Sequence, residues 1–349
     1  MNISAIDAKY EAQKIAFAPI TFQAIMAMKN LGVMEYIYKK RGNATQAEII
    51  EDLGISKYSV EVMLETAEVM DIIETKEGKL SLSKIGFFLL RDELTRVNMN
   101  FVNDVCYDGS KYLEESLATN KPAGLKVFGE WDTVYEGLSK LEKPVRKSWL
   151  EFDHFYSQDA FDSALEIVFK NKPGKLFDIG GNTGKWSIKC CGYDSDVNIK
   201  ILDLPGQIEM AKKNIADNNL QDRIEFHPIN LLDTTQKIPQ GADVIWMSQF
   251  LDCFSEEEIL AILLNCAQAS TKDTTIYIME PFIDNQPYEA ATYSLVATSL
   301  YFTCIANGNS KMYKLETFKE LIDKAGMQII ETHALIGDSY HTILACKLK

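Results

Sequence analysis

KLFDIGGNTG, residues 175–184, is the stretch on which the fold turns. Five residues of a buried strand, KLFDI, run straight into a glycine-rich turn. Four more short apolar runs follow: NIKILDL (198–204), RIEFHPI (223–229), DVIWMSQF (243–250) and TTIYIMEPF (274–282). Helical stretches such as GQIEMAKKNIADN (206–218) and SEEEILAILLNCAQA (255–269) separate them. That alternation predicts an α/β fold with a parallel sheet wound with helices. Ser255 with Glu258 forms a capping box that starts one helix. QIIETHALI (328–336) and YHTILACKL (340–348), joined through Gly337-Asp338, predict a closing antiparallel hairpin at the sheet edge.

In an open α/β sheet, ligands bind beyond the carboxyl ends of the strands. Glycines there let backbone approach a ligand, and the next helix N-terminus attracts negative charge. Asp203 ends the second strand, 19 residues past Gly184, where a carboxylate can accept both hydroxyls of a ribose. A dinucleotide site needs G-x-G-x-x-G, and Asn182 stands where the middle glycine belongs. S-adenosylmethionine carries no phosphate. It needs one glycine-lined turn, acids near its cationic groups and an acid for its ribose. DIGGNTG followed by LDLPG suits that cofactor better.

The chain has 349 residues, 46% of them apolar and 25% charged, with a net charge of −14. Such a length suits two domains with a large core. The acidic balance argues against a broad nucleic-acid or anionic-membrane surface. Seven cysteines show no CxxC pair and no Cys/His ligand spacing, so they read as reduced packing residues, implying a cytoplasmic setting and no metal site. MNISAIDAKYEAQK, at the start, has no apolar segment of the signal-peptide kind, and no run of about 18 apolar residues predicts a membrane span.

Residues 10 to 95 read as helices ending in a small β element. Thr45 and Glu48 make a capping box before AEIIEDL, and Gly54 closes that helix. Ser56 caps a second helix with Val60, Met63, Leu64, Ala67 and Met70 on its apolar side, and DIIET and KLSLS follow as strands. This is the winged-helix pattern. Its second helix carries Glu61, Glu65, Glu68 and Asp71 against Lys57, which would repel phosphates and disfavours a DNA-binding regulator. FAPITFQAIMAMKNLGVMEYIY (17–38) is an apolar helix pair that one small domain can hardly bury, and it reads as a dimer surface. Residues 96–172 are helical and rich in aromatics, most of them packing residues and a few candidates for an apolar ligand pocket. The helix YEAATYSLVATSLYFTC (288–304) presents Tyr293, Thr298, Tyr301 and Phe302 as a core-facing stripe.

LFDIGGNTG, ILDLPGQIEMA, RIEFHPINLLD and DVIWMSQFLDCFSEEEILAILLNC together resemble the small-molecule O-methyltransferases of the caffeate, acetylserotonin and hydroxyneurosporene type. The N-terminal stretches through LSLSKIGFFLL are similar to that family's winged-helix dimerisation domain. The resemblance implies a class I methyltransferase, Rossmann-like sheet with a closing antiparallel hairpin, preceded by a mainly α winged-helix dimerisation domain. The implied divisions are 1–95 for dimerisation, 96–172 for a helical linker and substrate-pocket segment, and 173–349 for the S-adenosylmethionine-binding catalytic domain. It implies a homodimer and a small aromatic acceptor.

Carried over by motif, Asp178, Gly180, Gly181 and Gly184 hold the methionine part of the cofactor and Asp203 its ribose. Asn230 and Leu231 fall where the family touches adenine, and Met247 and Ser248 where it meets the cofactor after the fourth strand. Three catalytic candidates follow: Asp252, Glu280 and His341. The family's proton-removing His falls on Asp252, in Leu251-Asp252-Cys253-Phe254, and a second family acid falls near Met312. The acid closing the fifth strand is kept as Glu280. Asp252 is then a replacement base or an orienting group, unless the acceptor ionises easily by itself. His154, Tyr156 and Tyr301 are the substrate-binding candidates. Loss of the family His leaves two alternatives, a cofactor-binding relative without methyl transfer and an N- or C-methyltransferase.

Overall fold

The computed structural model describes residues 3–349, so the first two residues of the N-terminal stretch lie outside the described residues. The chain forms two compact units, Met1–Asn100 and Phe101–Lys349. The first unit opens with α1 (Ala5–Asn30) and α2 (Val33–Lys39), separated by Gly32 in the left-handed region. α3 (Gln46–Leu53) starts at the Thr45–Glu48 capping box and stops at Gly54, at φ 65°. α4 (Lys57–Val69) starts at Ser56, whose hydroxyl accepts the Ser59 N–H. β1 (Ile73–Lys76) and β2 (Lys79–Leu82) pair antiparallel, and α5 (Lys84–Arg91) and α6 (Glu93–Phe101) follow. Met28, Met34, Ile37, Ile49, Val60 and Ala67 form this unit's core. The helix–helix–hairpin reading holds.

The second unit begins with the short helices α7 (Leu113–Thr119) and α8 (Val134–Gly137), then α9 (Lys143–Gln158) and α10 (Phe161–Val168). Pro144 opens α9 rather than breaking it, because the first turn of a helix needs no donor there. The wound sheet follows: β3 (Lys175–Ile179), α11 (Lys185–Tyr193), β4 (Asn198–Asp203), α12 (Pro205–Asp217), β5 (Ile224–Pro228), β6 (Val244–Ser248), α13 (Glu256–Ala269) and β7 (Thr275–Glu280). α14 (Glu289–Tyr301), α15 (Leu315–Lys324), β8 (Met327–Ile336) and β9 (His341–Leu348) complete it.

The strand order is β5-β4-β3-β6-β7-β9-β8. All neighbours are parallel except β9, which runs antiparallel to β7 and β8. Side chains of a strand alternate between its faces. Phe177, Ile179, Ile245 and Met247 accordingly face α13 and α15 in one core, while Leu176, Ile201, Val244 and Trp246 face α10, α11 and α12 in the other. β3 pairs with β4 on one side and β6 on the other, so the order reverses at β3. That reversal opens a crevice beyond the strand ends.

α14 departs from a core-facing stripe. Tyr301 and Phe302 are buried, but Tyr293 is 77% exposed, since it lies on a different side of the helix. No helix among the described residues is long and apolar enough to cross a membrane. The seven cysteines are free thiols.

Candidate active site

A cavity of about 360 Å³ fills the crevice at the switch point. Asp178, at the end of β3, and Gly180 and Gly181 of the turn line it, with Asp203 at the end of β4. Asn230 and Leu231 after β5 line it too, as do Ser248 at the end of β6, Asp252 in the next turn, and His154 and Tyr301.

The turn has this shape because of its glycines. Gly180 has φ +70°, and a Cβ there would sit 2.2 Å from the Phe250 ring. A Cβ on Gly181 would lie 2.9 Å from Asp178 Oδ2 and from Ile201 Cγ2. Asp203 braces the turn, accepting the Asn182 N–H at 2.8 Å and the Leu204 N–H at 2.7 Å. Asp178 accepts the Ser187 hydroxyl at 2.6 Å.

Five expected residues do not line the cavity. Gly184 caps α11 at φ 80° and packs toward Ile215 and Ile201, so its part is to turn the chain. Met247 is fully buried in the α13 side of the core, because alternation along β6 sends Trp246 and Met247 to opposite faces. The Tyr156 ring packs on Phe152, 4.9 Å between centroids. His341 is completely buried at the start of β9. Its Nδ1 lies 2.9 Å from Ser339 Oγ, which donates to Asp159 Oδ1, and burial holds the ring neutral with a pKa lowered to about 3.

Glu280, 1% exposed, stands behind the wall. Its Oε1 accepts the backbone N–H groups of Phe250 (3.1 Å) and Leu251 (2.9 Å), which fixes the turn that carries Asp252. Its Oε2 is buried without a hydrogen-bond partner. Asp252 is 5% exposed, and its Oδ1 receives the Cys253 thiol at 3.5 Å. Burial, with the charge of Asp153, raises Asp252 above the usual carboxylate range, and burial, with the charge of Asp252, raises Glu280 well above it.

The same burial acts around the turn. It pushes Asp178 up to about 7, and Asp203 and Asp153 up to about 6. It pushes His154 down to about 4, helped by the Lys185 charge, so that ring is neutral at pH 7. The Lys185 ammonium, also lowered by burial, sits at the first position of α11 on the cavity wall.

Several lining groups escaped the sequence reading. Lys185 directly follows the quoted turn, and its place at the helix start was the available signal. Trp149 donates its indole N–H to the Tyr301 hydroxyl at 2.6 Å, and both line the cavity with Phe152 and Tyr135. Trp186 and Trp246 stack at 4.2 Å, and each buries an indole N–H without a partner. Gln249 has φ 45°, a costly conformation for a residue without Asn's local hydrogen bonding. Only tertiary contact brings these residues together. No group of three or more His, Cys, Asp or Glu among the described residues is placed to hold a metal ion.

Comparison with known proteins agrees with this architecture. Residues 139–328 match the O-methyltransferase domain model, and residues 9–80 the Dimerisation2-like domain. The chain is 25% identical to an L-tyrosine C(3)-methyltransferase of Streptomyces lavendulae, covering 89% of this chain and 85% of the relative. It is 23% identical to a 3-hydroxy-5-methyl-1-naphthoate 3-O-methyltransferase of Streptomyces sahachiroi, covering 78% of each. Its fold matches the crystal structure of NcsB1, an O-methyltransferase from neocarzinostatin biosynthesis solved with S-adenosylmethionine and 2-hydroxy-5-methyl naphthoic acid. The TM-score is 0.68 at 20% identity, covering 94% of this chain and 96% of that one. The chain belongs to the O-methyltransferase domain family, methyltransferases that take their methyl group from S-adenosylmethionine.

Proposed function

We propose that this enzyme methylates the hydroxyl of a small aromatic compound, with Asp252 as the base. The observation that carries the reading is a nearly buried carboxyl on the cavity wall, backed by a second carboxyl. S-adenosylmethionine supplies, when bound, an electrophilic methyl group on a sulfonium. The residues around the turn fit that molecule. Asp203 keeps lone pairs for two ribose hydroxyls beyond its two backbone partners. Asp178 and Asp153 suit its cationic groups. Lys185 and the unbonded indole N–H groups of Trp186 and Trp246 suit its carboxylate. Asn230 and Leu231 line the part assigned to adenine.

In the acceptor space, Trp149, Phe152, Tyr301 and Phe302 give an aromatic ring apolar walls. They exclude water and hold the oxygen in line with the methyl group. Asp252 takes the hydroxyl proton, the oxygen forms its bond to carbon, and the electron pair of the breaking carbon–sulfur bond leaves with sulfur. An ordinary Asp, near ~3.9, is a weak base for a phenol near ~10. Each unit by which burial raises Asp252 narrows that gap by about 1.4 kcal/mol. Glu280 does not touch the reacting atoms and acts by positioning the turn that carries Asp252.

Asp252→Asn tests the assignment. It should lower kcat by roughly a hundred-fold or more while leaving S-adenosylmethionine affinity nearly intact. Full activity in that variant would remove Asp252 as base. A second reading, methyl transfer to the ring carbon beside the hydroxyl, draws support from the tyrosine C(3)-methyltransferase, a relative along 89% of this chain. The same base serves it, and the product distinguishes the two.

The assembly we propose is a homodimer in the cytoplasm. The matching dimerisation model and the exposed apolar residues Ile6, Ile15, Phe17 and Ile20 of α1 support the dimer, and seven free thiols support a reducing compartment.

A further inference from the structure

We infer that the acceptor is an amine-bearing phenol and that the site rejects phenols carrying a carboxylate. The inference rests on the phenolic reading above and names the acceptor's charge. Six acids line the cavity: Glu136, Asp153, Asp178, Asp203, Asp252 and Glu258. One cation opposes them, Lys185, and no arginine lines the cavity among the described residues. His154 is neutral there.

Allotting the turn and its surroundings to the cofactor uses Asp153, Asp178, Asp203 and the single lysine. What remains facing an acceptor is acidic or neutral. Asp252 is 95% buried, with a thiol as its hydrogen-bond partner, so its carboxylate is poorly satisfied. The Tyr135 hydroxyl is buried in the same wall beside the Cys253 thiol. Glu136 is exposed, and Glu258 is half-buried, its carboxylate held by the Ser255 N–H and the Asn309 amide.

An entering aryl carboxylate would lose its water and meet no free cation, which is costly. An ammonium meets a field of the right sign, focused by low-dielectric walls. With Asp252 turned to the hydroxyl, the Glu136 carboxylate offers the ammonium acceptor atoms. Like-charge juxtaposition in such a cavity discriminates strongly between ligands of one shape.

The test uses an isosteric pair, dopamine and 3-(3,4-dihydroxyphenyl)propanoate, titrated calorimetrically into the full-length protein saturated with S-adenosylhomocysteine. The amine should bind at least about ten-fold more tightly, with the ratio shrinking as salt rises. Asp252→Asn should narrow the ratio, and so should Glu136→Gln, a change at an exposed position that spares the packed interior. Equal or tighter binding of the carboxylate overturns the inference and leaves the phenolic reading standing. An unchanged ratio in both variants also overturns it. If neither catechol binds while S-adenosylhomocysteine does, the phenolic reading falls and this inference with it.

Discussion

At the scale of single residues, the chemistry rests on one carboxyl, Asp252, raised by burial and by the charge of Asp153. Asp252 must be ionised to take a proton, so activity should fall as pH drops through its raised pKa. The acidic limb of kcat should therefore lie above the ordinary carboxylate range. Asp153→Asn keeps the size of the side chain but removes the charge that repels the Asp252 carboxylate. It should move that limb to lower pH, and an unmoved limb would show that the two groups do not interact. Cofactor affinity has its own pH dependence. A cationic ligand favours ionised Asp178 and Asp203, raised to about 7 and about 6. Affinity should rise between those values and neutrality, with proton release detectable by calorimetry in buffers of different ionisation enthalpy; proton uptake would contradict the site. Asp203→Ala should weaken S-adenosylmethionine binding strongly, and unchanged affinity would displace the ribose from Asp203. Asp203 was legible because it ends an apolar run at a fixed distance from the turn. Tyr135 and Trp149 were legible only as members of an aromatic-rich segment with a few pocket candidates, because neither lies in a motif and only folding brings them to the cavity.

Among elements, the glycine turn and the helix starts set the geometry. Gly180→Ala would need a left-handed alanine and would drive its Cβ into the Phe250 ring, 2.2 Å away. It should destabilise the protein and impair cofactor binding together, measured by denaturant unfolding and by titration. The Ser255–Glu258 capping box starts α13, which follows the turn carrying Asp252. Ser255→Ala should cost about 1 kcal/mol in urea unfolding. Both capping boxes, the strand alternation and the closing hairpin were readable because each has a local physical cause: a side-chain oxygen for an orphan N–H, or a period of two. The cofactor expectation for Met247 was carried over from the family resemblance, yet alternation turns its side chain away from the cavity. His341 stood out by its place in the last hairpin, but its complete burial is a tertiary fact.

For the whole molecule, the first sixteen residues of α1 are exposed on every side, and apolar Ile6, Ile15, Phe17 and Ile20 stand among them. Only the later part of α1, with Ile25, Met26 and Met28, packs into the core, which leaves its exposed apolar start as the surface of the proposed dimer. Ile6→Asp combined with Phe17→Asp and Ile20→Asp should convert the proposed dimer to monomer in analytical ultracentrifugation; an unchanged mass would move the interface elsewhere. The central claim is methyl transfer to an aromatic hydroxyl through Asp252. It is tested most directly by supplying S-adenosylmethionine isotope-labelled at its methyl group, with a panel of amine-bearing and neutral phenols, and reading the products by NMR. The account predicts an O-methyl signal that is lost in Asp252→Asn. Absence of any methylated phenol, in protein that still binds S-adenosylhomocysteine, would contradict it.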